Sequence, residues 1–191
     1  MVETEVKKRF ARMFLLTESA DNMNSNTINV CFVCTGNACR SPFAECVLTS
    51  MLARVGSLDA NVFSCGTLDW GKNPRDGEMV RIAAEMGYSM TGETTHMSRE
   101  LLSSADVIVV FEHAHRDEVT KVLEFANWNR IVLFNMLAFG QYSEVEDPNF
   151  MSEAVYRRVA AHIEEGCRNI TEKWTISPPL PKDSKCGAVP I

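Results

Sequence analysis

Short apolar runs alternate along this chain with segments in which apolar residues recur every three or four positions. Four of the runs have the length of strands and cover about 28–33, 61–64, 106–111 and 131–134. The periodic segments predict helices over about 41–54, 76–86, 113–125 and 151–174, and a helical turn over 98–103. Alternating strands and helices predict a three-layer α/β fold, in which helices cover both faces of a parallel sheet.

The first apolar run leads into a tight loop and then into the start of a helix. The loop reads Cys34-Thr35-Gly36-Asn37-Ala38-Cys39-Arg40. Ser41 and Pro42 follow the loop and are typical of a first helical turn. The backbone N–H groups of such a loop converge, and the positive end of the helix dipole points at the same place. The pattern therefore predicts a binding site for a dianion of phosphate size.

Two side chains of this loop make the predicted anion site reactive. Cys34 lies at the carboxyl end of the strand, where open α/β sheets bind their ligands. The helix dipole and the Arg40 guanidinium both favour a thiolate over a thiol there. A guanidinium also holds two phosphoryl oxygens at once. We therefore predict phosphoryl transfer through a cysteinyl-phosphate; the alternative is that Cys34 is an ordinary buried cysteine.

Cleavage of a phosphoester also needs an acid that protonates the leaving oxygen, because an oxygen such as that of a tyrosyl group, with a pKa of about 10, leaves poorly as an anion. Asp147 is the candidate, since Pro148 fixes the backbone beside it. Glu144 and Glu146 add like charge, which favours the protonated form of Asp147. Considered by spacing alone, the same residues are more typical of a solvated acidic turn.

The run from Val33 to Glu45 and the late Asp147-Pro148 pair resemble the low-molecular-weight protein tyrosine phosphatases over about 27–173. The resemblance implies a Rossmann-like phosphotyrosine protein phosphatase I fold, with a four-stranded parallel sheet in the order 2-1-3-4. It implies hydrolysis of phosphotyrosine and aryl phosphates. It also implies that Cys34 is the nucleophile, that Arg40 binds the phosphoryl group, and that Asp147 is first the acid and then the base.

The resemblance extends to the residues around the nucleophile. It implies a phosphate-binding loop that includes Thr35, Gly36, Asn37, Ala38, Cys39 and Ser41. Asn37 is expected in a left-handed conformation that Ser41 and Ser64 stabilise. Cys39 is expected to trap oxidised Cys34 as a disulfide, and the alternative is that Cys39 is a small packed side chain.

The expected substrate cleft comprises Asp69, Trp70, Asn149 and Phe150, although Trp70 could equally pack its loop against the first helix. Asn149 stands where the family often has an aromatic residue, so one wall of the phenol slot is expected to be missing. Ala38 replaces a larger isoleucine and widens the floor of the slot. The family's His-x-Ala-Arg stretch is taken as replaced by the residues 93–96, which leaves open how that segment supports the loop.

Three rival functions share parts of this pattern. A protein-arginine phosphatase uses the same loop, and Thr35 and Phe150 suit it, but it favours threonine where this chain has Ala38, so it ranks second. An arsenate reductase needs two further cysteines after the third strand, and residues 112–129 contain none. A non-catalytic phospho-ligand binding module would not need Cys34, Arg40 and Asp147 together.

Composition sets limits on the remaining possibilities. The 191 residues suit one domain over 27–175, between an N-terminal extension over 1–26 and a proline-containing tail over 176–191. The net charge of −6 argues against nucleic acid or a membrane as partner. The cysteines number seven and match no zinc-binding spacing, so we expect reduced thiols and a cytoplasmic protein. We expect a phosphotyrosine-containing protein substrate, no cofactor and no metal, and a monomer or weak dimer.

Overall fold

The structure is a computed structural model that describes residues 27–56 and 58–181. The expected extension over 1–26 and the end of the expected tail lie outside the described residues. The strands are β1 (Ile28–Cys34), β2 (Ala60–Gly66), β3 (Val107–Val110) and β4 (Ile131–Leu133). The helices are α1 (Arg40–Val55), α2 (Gly77–Glu85), α3 (Arg99–Ser104), α4 (His113–Val122), α5 (Phe134–Phe139) and α6 (Glu153–Ile176). Within the described ranges, none of these helices has the length and apolar character needed to cross a membrane.

The four strands form one parallel sheet in the order β2-β1-β3-β4, which confirms the expected fold and strand order. Cys34 at the end of β1 is in register with Gly66 at the end of β2. Val33 is in register with Val110 at the end of β3. The carboxyl ends of three neighbouring strands therefore meet at one edge of the sheet, and the loops that follow them converge there.

Side chains of β1 alternate between two hydrophobic cores, one on each face of the sheet. Val30 and Phe32 lie in the larger core, which α1, α2, α5 and α6 cover. Cys31 and Val33 lie in the smaller core with residues of α3 and α4. Burial on both faces explains why β1 is a continuous apolar run, and each large apolar side chain buried in this way contributes about 1.5–3 kcal/mol.

The boundaries of β2 and β3 differ from those predicted by the apolar pattern. β2 continues to Gly66, which pairs with Cys34 of β1. The backbone of Gly66 also accepts a hydrogen bond from Met97 N (2.9 Å) and donates one to Thr95 O (2.8 Å). β3 starts later than expected, at Val107. The Asp106 carboxylate instead accepts a hydrogen bond from Asn29 N (2.7 Å), so a side chain joins the two chain segments at that end of the sheet.

The region around β4 is where the predicted elements differ most. α4 ends at Val122, and a 3₁₀ helix over Phe125–Arg130 precedes β4. Phe134 was expected to end the fourth strand, but it begins α5, which the sequence did not predict. Phe134 packs against α6 at Gly166, where a Cβ atom would lie 2.4 Å from Phe134 Cζ. Tertiary packing therefore turns the chain out of the sheet at this point.

Candidate active site

A cleft opens at the carboxyl edge of the sheet, above the end of β1. The residues that line it come from the loop after β1, the loop after β2, the start of α2 and the acidic loop before α6. They are Cys34, Thr35, Gly36, Ala38, Cys39, Arg40, Trp70, Asp76, Asp147 and Asn149. The structure therefore brings together the three residues expected to carry the chemistry, Cys34, Arg40 and Asp147.

Cys34 lies at the bottom of this cleft with 3% of its surface exposed. Its Sγ atom is 3.0 Å from the hydroxyl oxygen of Ser41, which can donate a hydrogen bond to a thiolate. α1 begins directly above, and Cys39, its N-cap residue, forms no side-chain capping bond. The first N–H groups of α1 are therefore available to an anion beside Cys34.

Asn37 fixes the shape of the loop from its centre. Its φ angle is 54°, in the left-handed region expected from the resemblance. Its side-chain Nδ2 donates to Ser41 Oγ (3.0 Å) and Ser64 Oγ (2.7 Å). Its Oδ1 accepts from Thr95 N (2.8 Å) and Arg75 Nη1 (2.6 Å). All four hydrogen-bonding positions of this buried amide are thus occupied, which holds the loop in one conformation.

Two glycines allow the close approaches that the loop needs. A Cβ atom at Gly66 would lie 2.7 Å from the carbonyl oxygen of Thr35 and 2.8 Å from the backbone N of Asn37. A Cβ atom at Gly36 would lie 2.5 Å from the ring of Trp70. The end of β2 therefore supports the loop by backbone contact, and Trp70 covers it at the mouth of the cleft.

Arg40 is 1% exposed, and its guanidinium is held by three partners. Nη1 donates to the Glu112 carboxylate and to Val145 O (3.0 Å), and Nη2 lies 2.7 Å from Asp147 Oδ2. Asp147 Oδ1 also accepts a hydrogen bond from Asn149 N (3.1 Å). Arg40, which is expected to bind the phosphoryl group, and Asp147, the expected acid, therefore form an ion pair in this structure.

The structure places several residues of the acidic loop and of the expected cleft differently from what the sequence suggested. Glu144 accepts a hydrogen bond from His113 N (2.7 Å), and Glu146 pairs with Arg158 (2.6 Å), so both carboxylates have partners other than Asp147. Phe150 is 95% exposed and does not form a wall of the cleft. Asp69 accepts a hydrogen bond from Gly71 N (3.0 Å) within its own turn rather than lining the cleft.

The segment before α3 contacts the loop directly, which answers the question left open by the sequence. Thr95 N donates to Asn37 Oδ1, and Thr95 O accepts from Gly66 N. The family pattern His-x-Ala-Arg is in fact matched by His96-Met97-Ser98-Arg99, with serine in place of alanine.

Sequence reasoning missed four polar residues around the site: Arg75, Asp76, Glu112 and His115. Asp76 lines the cleft, caps α2 through Met79 N (2.8 Å), and accepts a hydrogen bond from the Tyr156 hydroxyl (3.1 Å). Glu112 and His115 follow β3 at the ligand-binding edge of the sheet, and that position was the signal that could have found them. Arg75 follows no strand directly and offered no comparable signal.

His115 is buried against the first residue of the loop. Its Nε2 lies 2.9 Å from the Thr35 hydroxyl, and its Nδ1 accepts from Glu112 N (3.1 Å). Burial, together with the positive charge of Arg40, lowers the pKa of His115 to about 4. The imidazole is therefore neutral at physiological pH and donates its one proton to Thr35.

Cys39 also lines the cleft, and 7% of its surface is exposed. Burial raises the pKa of the Cys39 thiol, and the negative charges at Cys34 and Asp76 act in the same direction. Cys39 is therefore a protonated thiol beside the expected nucleophile, and it does not compete with Cys34 as a thiolate.

Comparison with known proteins agrees with this geometry. Residues 29–177 match the sequence profile of the low molecular weight phosphotyrosine protein phosphatases. The chain belongs to this family. The resemblance first noted in the loop therefore covers the whole sheet and its helices.

Relatives of this phosphatase family member differ in the substrate that their names give. This chain is 26% identical over 147 residues to a protein-arginine-phosphatase of Bacillus subtilis, and the match covers 76% of this chain and 96% of the relative. It is 30% identical over 143 residues to low molecular weight protein-tyrosine phosphatase A of Mycobacterium tuberculosis, covering 73% and 87%. These matches show the family. The phosphorylated residue that the names give as the substrate differs from one relative to another.

The solved structures that this chain resembles likewise include a phosphotyrosine phosphatase and an arginine phosphatase. A low molecular weight phosphotyrosine phosphatase of Vibrio cholerae superposes with a TM-score of 0.72 at 30% identity, covering 77% of this chain and 96% of that one. A serine mutant of an arginine phosphatase, with its active-site serine phosphorylated, superposes with a TM-score of 0.72 at 26% identity, covering 78% and 97%.

Proposed function

We propose that this protein is a cysteine-dependent protein phosphatase that hydrolyses phosphotyrosine and aryl phosphates. The observation that carries the proposal is the single cleft in which Cys34, Arg40 and Asp147 meet, with Arg40 Nη2 2.7 Å from Asp147 Oδ2. A nucleophile, a phosphoryl-binding cation and an acid are the groups that phosphate-ester hydrolysis through a covalent intermediate requires.

In the first step the loop N–H groups and Arg40 bind the phosphoryl oxygens. The Cys34 thiolate, stabilised by the Ser41 hydroxyl, attacks phosphorus, so that the S–P bond forms as the P–O bond to the tyrosyl group breaks. Asp147 donates a proton to the departing oxygen, which leaves as a neutral phenol.

In the second step a water molecule attacks the cysteinyl-phosphate. Asp147, now a carboxylate, takes a proton from this water as the new O–P bond forms. The S–P bond breaks, and the thiolate and inorganic phosphate are released. The cycle requires no external oxidant, reductant or cofactor, because each group returns to its starting state.

The ion pair between Arg40 and Asp147 explains how one carboxylate is prepared for the acid role. A bound phosphoryl dianion competes with Asp147 for the Arg40 guanidinium. Once Arg40 bonds to the phosphoryl oxygens, Asp147 loses this ion pair. Substrate binding thereby frees the Asp147 side chain to contact the leaving oxygen.

Phosphotyrosine is the preferred substrate because the mouth of the cleft suits an aromatic ring. Trp70 lies over Gly36 with 46% of its surface exposed, so its ring can stack on a phenyl group. Ala38 lines the same cleft with a single methyl group and leaves room for the ring.

Phosphoarginine is the second candidate, and one observation favours it. Two carboxylates, Asp76 and Asp147, line the cleft and would attract a guanidinium leaving group. The similarity to the Bacillus subtilis protein-arginine-phosphatase supports the same candidate. Against it stands Ala38, because the family resemblance implies threonine at this position in an arginine phosphatase.

The deciding experiment measures release of inorganic phosphate from matched phosphotyrosine and phosphoarginine peptides by wild-type protein, Cys34→Ser and Ala38→Thr. We expect a higher kcat/KM on phosphotyrosine, no turnover by Cys34→Ser, and a shift of the ratio towards phosphoarginine in Ala38→Thr. Faster turnover of phosphoarginine by the wild type would make the second candidate the function. Wild-type turnover no higher than that of Cys34→Ser, on these peptides and on p-nitrophenyl phosphate, would indicate a phospho-ligand binding module.

The proposed setting follows from the same chemistry. The partner is a phosphoprotein substrate, and the protein is proposed to act in the cytoplasm as a monomer or weak dimer. Reduced thiols are needed there, because Cys34 must be a free thiolate. Oxidation of Cys34 is proposed to be trapped by Cys39 as a disulfide, which a dithiol would reverse.

A further inference from the structure

We propose that Arg75 is a positioning residue of the phosphate-binding loop: it holds Asn37 in its left-handed conformation and places a second guanidinium behind the site. The inference rests on the proposed function, since it assigns Arg75 to the loop that binds the phosphoryl group. Arg75 directly precedes Asp76, the N-cap residue of α2, and thus reaches the loop from a separate element.

The Arg75 guanidinium contacts one loop residue at two points. Nη1 donates to the backbone carbonyl oxygen of Asn37 and to its side-chain Oδ1 (2.6 Å). Nε donates to Thr91 O (3.3 Å), which fixes the direction of the planar group. A donor shared by the backbone and the side chain of one residue restricts both, and Asn37 is the loop residue whose positive φ angle needs such restriction.

The effect of Arg75 passes to the nucleophile through the Asn37 amide. Because Oδ1 accepts from Arg75, Nδ2 must face Ser41 and Ser64. Ser41 Oγ accepts from Nδ2, so its own proton is directed to its other neighbours, of which Cys34 Sγ at 3.0 Å is nearer than Cys65 O at 3.4 Å. Without Arg75, the amide keeps only Thr95 N as a donor to Oδ1, and the orientation of this chain of hydrogen bonds is less well determined.

Arg75 also acts through its charge. Partial burial lowers the pKa of its guanidinium, whereas the negative charges of Glu45 and of the Cys34 thiolate act in the opposite direction. Glu45 accepts a hydrogen bond from Ser64 (2.6 Å), which Asn37 also contacts. Arg75 therefore adds a second positive charge to the loop that is expected to bind a phosphoryl dianion.

The test compares Arg75→Met, Arg75→Lys and the control Arg81→Met, in which an exposed arginine of α2 is replaced. The first readout is the rate at which iodoacetate alkylates Cys34 at pH 6, located by peptide mass spectrometry. The second is the dissociation constant of inorganic phosphate, from its protection of Cys34 against alkylation. The third is kcat and KM, measured separately on p-nitrophenyl phosphate.

We expect Arg75→Met to weaken phosphate binding and to slow alkylation, each by about tenfold or more, as for the loss of a charge-assisted hydrogen bond. Arg75→Lys should recover part of both losses, because it restores the charge but not the planar donor group. Thermal unfolding of Arg75→Met should resemble that of Arg81→Met.

Phosphate binding and alkylation in Arg75→Met equal to those of the wild type would overturn the proposal. A second result would also overturn it. In that result, Arg75→Lys recovers neither phosphate binding nor alkylation, and the unfolding temperature of Arg75→Met falls further than that of Arg81→Met. Neither of the first two readouts needs turnover. An inactive wild type would therefore reject the proposed phosphatase function while leaving the role of Arg75 to be decided by phosphate binding.

Discussion

His115 makes the stability of the fold depend on pH in a way that can be calculated. The side chain is 2% exposed and lies between Thr35 and Glu112, where burial and the charge of Arg40 lower its pKa to about 4. In the unfolded chain the same imidazole has a pKa of about 6.5. Between these two values, the unfolded chain binds a proton that the folded protein does not.

Stability must therefore fall as the pH falls through this window, and it is unaffected by His115 well above pH 6.5. For these two pKa values, linkage gives a loss of about 2 kcal/mol in the free energy of unfolding between pH 7 and pH 5. In His115→Gln this contribution is absent, so its stability should depend less steeply on pH by about that amount.

The measurement is urea unfolding followed by circular dichroism at pH 7, 6 and 5, where most carboxylates stay ionised. Burial also lowers the pKa of His162, but this residue contributes equally to both proteins and cancels in the comparison. His96→Gln, at an exposed position, is the matched control and should keep the wild-type slope. If His115→Gln lost as much stability as the wild type between pH 7 and pH 5, the argument from burial would be refuted.

Three further outcomes follow from the site. Asp147→Asn should lower kcat on phenyl phosphate by about 10²–10⁴, and the fall of wild-type kcat at high pH should flatten in this variant; identical profiles would remove Asp147 from the acid role. Gly66→Ala should abolish most activity on p-nitrophenyl phosphate, because its Cβ would lie 2.7 Å from a loop carbonyl, whereas Gly77→Ala has no atom within 4 Å and should be neutral; equal kcat/KM for the two would contradict the close approach at the end of β2. After peroxide and then dithiothreitol, Cys39→Ser should recover less activity than the wild type, and full recovery would exclude a protective disulfide.

Two parts of the site, the loop from Cys34 to Arg40 and the partners of Arg40, differ in how well the sequence alone could predict them. The loop from Cys34 to Arg40 could be interpreted because its residues are contiguous, and local geometry alone makes a strand, a glycine turn and a helix start into an anion site. The partners of Arg40 could not be found in this way. Glu112 and the Val145 carbonyl are distant in sequence and meet Arg40 only because β3 lies beside β1.

The same distinction explains where the structure departs from the sequence-based expectations. Glu144 and Glu146 flank Asp147 in sequence, but their carboxylates bond to His113 N and to Arg158, because residues in an irregular loop can face different directions. Phe134 has the apolar character of a strand residue, but it begins a helix and packs against Gly166 on α6, a contact that is distant in sequence.

The sequence by itself determined the parallel sheet and the loop that surrounds Cys34, since these follow from apolar periodicity and from contiguous residues. The choice of Asp147 as the expected acid came from the family resemblance rather than from spacing. The tertiary structure alone decided that Asp147 pairs with Arg40, that His115 is neutral beneath Thr35, and that Arg75 reaches Asn37. These interactions depend on the directions of side chains carried by different elements, and those directions are set only when the elements pack together.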